Sequence, residues 1–269
     1  MLVGHDPRGA TAWASKIDGT WTRAPDQASL RVDNAAGGMR SVIAFDGGFV
    51  AAGYRDDPTV PKAAAAVWRS DDGLHWTLDD AGGAFADGRI LGLAAQGDAL
   101  IAVGTSGEEI RGPAAAWRWT KADGWRRAAV PPGGGAMRAV AAIKGRLVAV
   151  GINPFDTGAM VWTSADGTSW QAVGDQPAFH FFELAVRFQA VTATDDGLVA
   201  GGWRSDPGKG SSVFVTSQDG LVWTALPWQA SFSGGQVDGV ASAGRTLVAA
   251  GRVGYPDTNT AAVWVRVWP

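Results

Sequence analysis

The sequence predicts an all-β fold, a six-bladed β-propeller of four-stranded antiparallel blades, on three observations. First, an apolar run ending in glycine recurs six times: Leu2-Val3-Gly4, then runs closing at Gly53, Gly104, Gly151, Gly202 and Gly251. These glycines lie 49, 51, 47, 51 and 49 residues apart. Second, a turn motif of pattern Ser-x-Asp-Gly-x-x-Trp occupies Ser70–Trp76, Ser164–Trp170 and Ser217–Trp223, with looser copies at Ser15–Trp21 and Thr120–Trp125. Third, no helical period of apolar residues appears anywhere. A period near 50 made only of short apolar runs and turns is the mark of a propeller.

Each unit reads as four strands, as the second repeat shows. A small-residue strand, Arg40–Phe45, meets the tight turn Asp46-Gly47-Gly48 and then the glycine-terminated strand. A polar loop leads to a third strand, Ala65–Arg69, and the Asp-Gly turn to a fourth, His75–Leu78. Small residues in the first two strands suit the crowded, narrow part of a tapering blade, where bulk would overpack. In the turn, glycine takes positive φ freely, the Asp and Ser side chains bond nearby backbone groups, and the Trp covers the reversal with its large apolar face. The 14 tryptophans fall mostly on third strands (Trp68, Trp119, Trp162, Trp264) and on the turns, so indoles are expected to form the core between blades. The N-terminal piece supplies strands two to four of a blade, and Val237–Pro269 supplies three strands without an Asp-Gly turn. Closure of a ring is expected to pair these ends. The alternative count is five blades plus an N-terminal hairpin.

Composition narrows the function classes. The chain has 269 residues, 46% hydrophobic, and reads as one repeat-built domain over 1–269. A net charge of −3 with dispersed arginines argues against a nucleic-acid partner. Without cysteine there is no disulfide, thiolate metal site or Cys nucleophile. Three scattered histidines argue against zinc, and no cofactor motif appears. No run approaches the ~20 apolar residues of a membrane span. No signal peptide is visible, which leaves a cytoplasmic protein or an exported one with its signal removed.

Ser-x-Asp-Gly-x-x-Trp at propeller spacing resembles the Asp-box (BNR) repeats of sialidase-like propellers, with one residue fewer between Asp and Trp. The resemblance covers nearly the whole chain. It implies that the boxes are structural and lie between third and fourth strands, on the face away from the active site. It also implies that function belongs to the opposite face, in the loops between strands two and three and those joining blades. Sialidases use an Arg triad, a Tyr–Glu nucleophile pair and an acid/base Asp. The Arg-Ile-Pro signature that introduces their first triad arginine is absent here, and Glu108, Glu109 and Glu183 are the whole Glu inventory, so sialidase activity itself is not expected.

Residues on that opposite face carry the candidate chemistry. Arg40, Arg138, Gln189 and Asp238 each stand 13 residues before a repeat glycine, with Arg89 and Arg187 two residues further back. Equivalent positions in a radial fold converge, so these residues are expected to ring a channel mouth, where arginine suits a carboxylate or phosphate. The plainer alternative is that the arginines pair with neighbouring aspartates. Trp203, Arg204, Arg252 and Tyr255 in the loops complete the ligand-binding set, with Tyr54 and Phe155 as further aromatic platforms. The unusually apolar joining segment Ala178–Arg187 holds His180 and Glu183, a candidate acid/base pair, with Tyr54 as a third catalytic candidate. Its alternative is a tucked loop with both residues bonded locally. The leading expectation is a propeller binding a small polar ligand such as a sugar. A hydrolase, lyase or cyclase in the same pocket, or a scaffold for a protein partner, are the competing classes.

Overall fold

The computed structural model describes residues 1–16, 18–31, 37–56, 63–79, 82–107, 112–180, 185–206, 210–254 and 259–267. The chain divides into two compact units, Met1–Ala128 and Ala129–Pro269, each built of three sheets. In the first unit, β1 (Leu2–Asp6), β2 (Gly9–Ser15) and β3 (Trp21–Arg23) form blade 1. Blade 2 is β4 (Gly37–Phe45), β5 (Gly48–Asp56), β6 (Ala63–Ser70) and β7 (Thr77–Leu78). Blade 3 is β8 (Gly88–Gln96), β9 (Ala99–Ser106), β10 (Ala114–Thr120) and β11 (Gly124–Arg127). In the second unit, blade 4 is β12 (Met137–Ile143), β13 (Arg146–Ile152), β14 (Ala159–Ser164) and β15 (Gln171–Ala172). Blade 5 is β16 (Val186–Thr194), β17 (Gly197–Arg204), β18 (Ser211–Ser217) and β19 (Thr224–Ala225). Blade 6 is β20 (Gly235–Ala243), β21 (Thr246–Val253) and β22 (Thr260–Val267).

Every sheet is an antiparallel meander in chain order, and the fold is a six-bladed β-propeller. The N-terminal segment is a three-stranded blade rather than an added hairpin. Four single 3₁₀ turns are the helical content among the described residues, and none is long and apolar enough to cross a membrane. Fourth strands are shorter than the sequence predicts. Thr77–Leu78 replaces His75–Leu78 because the His75 N–H is committed to the Asp72 carboxylate, 2.7 Å away, instead of to a strand.

Clusters of apolar side chains join neighbouring blades within each unit. Val50 and Val67 of blade 2 pack with Ile90, Trp117 and Trp125 of blade 3. Val148 and Val161 of blade 4 pack with Phe188, Leu198 and Trp223 of blade 5. Of the third-strand indoles expected between blades, Trp68 and Trp162 are fully buried while Trp119 and Trp264 are half-buried; in blade 3 it is Trp117, opposite Ala102 as Trp68 is opposite Ala51, that takes the buried place. Trp21 differs at 52% exposed. Its looser turn copy does not close in the same way, since the Ser15 hydroxyl bonds the Lys16 carbonyl rather than a turn amide.

A β-bulge recurs at one position of the first strand. It falls between Met39 and Ser41, Ile90 and Gly92, Met137 and Ala139, Phe188 and Ala190, and Val237 and Gly239. The extra residues are Arg40, Leu91, Arg138, Gln189 and Asp238. The bulge explains the repeat glycine across from it. A Cβ on Gly53, Gly104, Gly151, Gly202 or Gly251 would overlap a carbonyl oxygen of the bulged strand, that of Gly38, Arg89, Ala136, Arg187 or Gln236. Backbone approaches backbone there, and only glycine leaves the room.

The joining segments repeat too. Gln27 lies ahead of the 3₁₀ turn Ala28–Leu30; its amide nitrogen donates to Leu74 O (2.7 Å) and its oxygen accepts from Trp76 N (2.9 Å). Gln176, ahead of the turn Pro177–Phe179, does the same to Leu221 O (2.6 Å) and Trp223 N (2.9 Å). At the fourth blade the backbone of Ala129 makes the same pair of bonds, to Thr168 O (2.8 Å) and from Trp170 N (2.9 Å). These three joining segments thus clamp the turns of the blades they enter. Third-strand indoles fix the segments from the other side, with Trp68 donating to Ser29 O, Trp117 to Ala84 O and Trp264 to Ser231 O at 2.7–3.0 Å.

Candidate functional site

The two ends of each blade differ in chemistry. At one end lie the Ser-x-Asp-Gly turns. Ser70, Ser164 and Ser217 hydroxyls accept the amide of Gly73, Gly167 and Gly220 at 2.8, 2.9 and 2.8 Å. The Asp72 and Asp219 carboxylates accept two successive amides each, those of Leu74 and His75 and of Leu221 and Val222. The His75 amide and ring, with the Leu74 amide, hold Asp72 far below the usual carboxylate range; the Leu221 amide does the most to lower Asp219. Carboxylates occupied in this way are built for structure.

The opposite end carries the candidate residues, and each unit gathers its own group. In the first unit, Arg40 donates to Tyr54 OH at 2.7 Å and lies over its ring at 5.3 Å. Arg89 stacks on the same ring at 4.2 Å. Tyr54 is only 5% exposed, so it is a buried post between two guanidinium groups, one of which comes from the next blade. The bulge aims Arg40 at it from the first strand.

In the second unit, Arg187 stacks on Trp203 at 4.7 Å, while Asp156 from the preceding blade grips its edge at 2.6 and 2.7 Å. Asp156 sits at positive φ in a loop that the Asn153 side chain ties to Thr157. Arg204 pairs with Asp206 at 3.4 Å, and Asp206 also accepts the Ser211 hydroxyl. Asp238 accepts from Gln236 at 2.5 Å and faces Arg252 at 3.8 Å. Of the arginines expected to ring a mouth, Arg187 thus has an aspartate partner whereas Arg40 bonds Tyr54, and Arg138 on its bulge is partly buried; the loop arginines Arg204 and Arg252 also face aspartates.

His180 bonds Asp175, five residues back, and lines a cavity of about 40 Å³ with Arg204, Trp228 and Phe232. That space holds a water, not a sugar. Phe179, next to His180, is buried in the core, so this part of the segment is tucked in. Glu183 and Tyr255 lie outside the described residues. Phe155 is 82% exposed and has no ring partner among them.

Three features of this face escaped the sequence reading. Leu91 shares the bulge position but is apolar, so it carried no chemical signal. Asp156 is positioned by Asn153, a contact that the spacing Asn-Pro-Phe-Asp hints at through its turn residues. The stacking of arginines on rings has no sequence signal.

No family model and no curated sequence matches this chain. Among solved structures, it is similar to YjhT with a TM-score of 0.60 at 11% identity, covering 96% of this chain and 87% of that one. It is similar to a structure from the GH130 family of mannoside phosphorylases, which contains glycoside hydrolases that target β-1,2 mannosidic linkages in Candida mannan. There the TM-score is 0.50 at 12% identity, over 98% and 95% of the two chains. It is also similar to Zg3597, a family 117 glycoside hydrolase of the marine bacterium Zobellia galactanivorans, at TM-score 0.50 and 10% identity, over 90% and 86%. At such identities the likeness is one of fold.

Proposed function

We propose that the protein binds a small polar ligand of the carbohydrate class at the blade ends opposite the Ser-x-Asp-Gly turns, which we read as Asp-boxes. The observation that supports this most is the bulge. Five blades hold the same backbone geometry there, yet it presents Arg40, Leu91, Arg138, Gln189 and Asp238. A position needed only for blade stability would repeat its side chain as it repeats its glycine. One that varies on a fixed frame suits recognition, because bulges re-aim side chains. Guanidinium groups stacked on Tyr54 and Trp203 add flat surfaces beside hydrogen-bond donors, which match the apolar faces and hydroxyl edges of a sugar. Arg204, Asp238 and Arg252 supply further polar contacts, and Tyr255 another ring.

An enzyme on the same face is the second reading, favoured by two glycoside hydrolases among proteins of similar fold. Cleavage would draw on His180, held by Asp175, and on Glu183 as acid and base, with Tyr54 holding Arg40 in place. A panel of neutral and acidic saccharides in a thermal-shift assay, then calorimetry, tests the first reading. A true ligand at about 100 times its Kd adds roughly 2.7 kcal/mol of stability, and Arg187→Ala should weaken it by about tenfold. A panel without a hit, or a hit unaffected by both Arg40→Ala and Arg187→Ala, would remove the proposal. Turnover of a p-nitrophenyl glycoside that is abolished by His180→Ala would establish the second.

A further inference from the structure

Blades 1 and 5 treat one place in the fold in opposite ways. In blade 1 it lies beside β2, β3 and the 3₁₀ turn Ala28–Leu30; in blade 5, beside β18, β19 and the turn Ala230–Phe232. The bonds around it correspond. Ala24 N donates to Ala12 O as Leu226 N does to Phe214 O, and Gly9 pairs with Arg31 as Ser211 pairs with Ser233. In blade 5, Phe214, Leu226 and Phe232 crowd the place and leave only the cavity of about 40 Å³ beside His180. Blade 1 has Ala12, Ala24 and Leu30 instead. The smaller side chains open a cavity of about 200 Å³, and its described walls include Arg8, Arg23 and Arg31 with Asp6 and Asp26.

Three guanidinium groups meet two carboxylates there, so the described walls carry one positive charge in excess. Both carboxylates are already engaged. Arg31 grips Asp26 with Nε, at 2.9 Å, and with Nη2. Arg23 donates to Asp6 through Nη2 and to the Thr11 hydroxyl through Nε, at 3.2 Å. Asp6 also accepts the Arg8 amide at 2.7 Å. The Arg8 guanidinium, on an exposed side chain, reaches Asp26 only at 3.4 Å and Asp6 only at 3.7 Å. Neither carboxylate gives way by taking a proton, since the Arg8 amide holds Asp6, and the Arg31 guanidinium holds Asp26, below the ordinary range. Thr11 lines the same cavity at 3% exposed, and its own O–H has no acceptor among the described residues. A buried donor in that position costs stability unless the cavity supplies an acceptor.

We propose that this cavity binds a tetrahedral oxyanion, the phosphate or sulfate group of a small ligand. Arg8 turns from its two long contacts to donate to the anion, Arg23 supplies a positive wall, and the Thr11 hydroxyl donates from below. The planar fork of arginine meets two oxygens of such a group at once. The apolar floor of Ala10, Ala24 and Leu30 belongs to the core and keeps water from screening the charges. The volume is under the ~300 Å³ at which clefts for whole small molecules begin, so the charged group enters and the rest of its ligand stays outside. Neither Arg40 nor Arg187 is among the residues lining this cavity, and the inference stands apart from saccharide binding at the bulges.

The test is calorimetric titration of the full chain with sodium phosphate and with sodium sulfate, each against sodium chloride at equal ionic strength. Saturable binding with a Kd of about 1 mM or tighter is expected for at least one of the two. Binding of both assigns a site for either oxyanion, and binding of one alone names the group. Arg8→Ala should weaken it at least about tenfold, as loss of a charged hydrogen bond, and Thr11→Val about threefold, as loss of a neutral donor. Arg40→Ala should leave it unchanged. Heats no different from those of chloride, an Arg8→Ala protein that binds as the parent does, or loss of binding in Arg40→Ala would overturn the proposal.

Discussion

The two ends of a blade repeat different things. At the turn end, side chains and geometry repeat together: three serine hydroxyls take three glycine amides within 0.1 Å of one another in length, at 2.8, 2.9 and 2.8 Å. At the other end the backbone alone repeats, as bulge and glycine, while the bulged residue changes from Arg to Leu, Gln and Asp. Repetition of the side chain marks a part that each blade needs in order to stand. Repetition of the frame with a changing side chain marks a part available to a ligand. The difference separates structure from function inside one fold, and four comparisons sharpen it.

The largest effect belongs to the frame. Gly202→Ala drives a Cβ into the Arg187 carbonyl oxygen and should cost more than about 3 kcal/mol, in the class of severe backbone and packing lesions. Gly174→Ala, with open space around it, should stay within about 0.5 kcal/mol. Urea unfolding of the two proteins makes the comparison, and equal loss in both would break it.

Next is the clamp. Gln176→Ala removes two bonds between a joining segment and its turn and should cost about 1–2 kcal/mol, given roughly 1 kcal/mol net per bond. Gln229→Ala, at an exposed side chain with no such bond among the described residues, should cost less than about 0.5 kcal/mol. If both cost the same, the role of the clamp is misassigned.

Acid comes third. The Asp72 and Asp219 carboxyls are held below their ordinary values in the folded chain by amide donors. The unfolded chain therefore binds more protons, and their stabilisation is present above the unfolded pKa near 3.9 and lost as pH falls through the folded values. The urea midpoint should decline below about pH 4, with a flatter decline in Asp219→Asn. An unchanged profile in that variant would deny Asp219 its part. Apart from the two control substitutions, the smallest effect on stability is expected at the bulge: Arg40→Ala removes an exposed side chain with one bond to Tyr54 and should shift ΔG by about 1 kcal/mol or less.

What could be read from the chain follows the range of the interactions. The turns and the fifty-residue period were legible because their bonds close within three residues, as from Ser70 to Gly73. The bulge was legible only by its shadow, the repeat glycine, since the carbonyl that forbids a Cβ on Gly202 comes from Arg187 on another strand. Counting back from the glycine found Arg40, Arg138, Gln189 and Asp238 without revealing why they are equivalent. The glutamine clamp was missed, although Gln27, Gln176 and Gln229 each stand three residues before a buried Leu30, Phe179 or Phe232, a spacing that pattern reading could have caught. The partners of the arginines were out of reach. Asp156 is 31 residues from Arg187 and comes from another blade. His180 was singled out for its apolar setting, and its bond to Asp175 accounts for it locally.

The most direct test of the division between the two ends is a triple variant at the bulge, Arg40→Ala, Gln189→Ala and Asp238→Ala, compared with the parent protein in urea unfolding and in saccharide calorimetry. The account expects an unfolding free energy within about 2 kcal/mol of the parent, since surface changes rarely cost more than about 0.5 kcal/mol each beyond a lost bond, together with loss of the saccharide signal. Collapse of the fold, or a variant that still binds its saccharide at parental affinity, would contradict it.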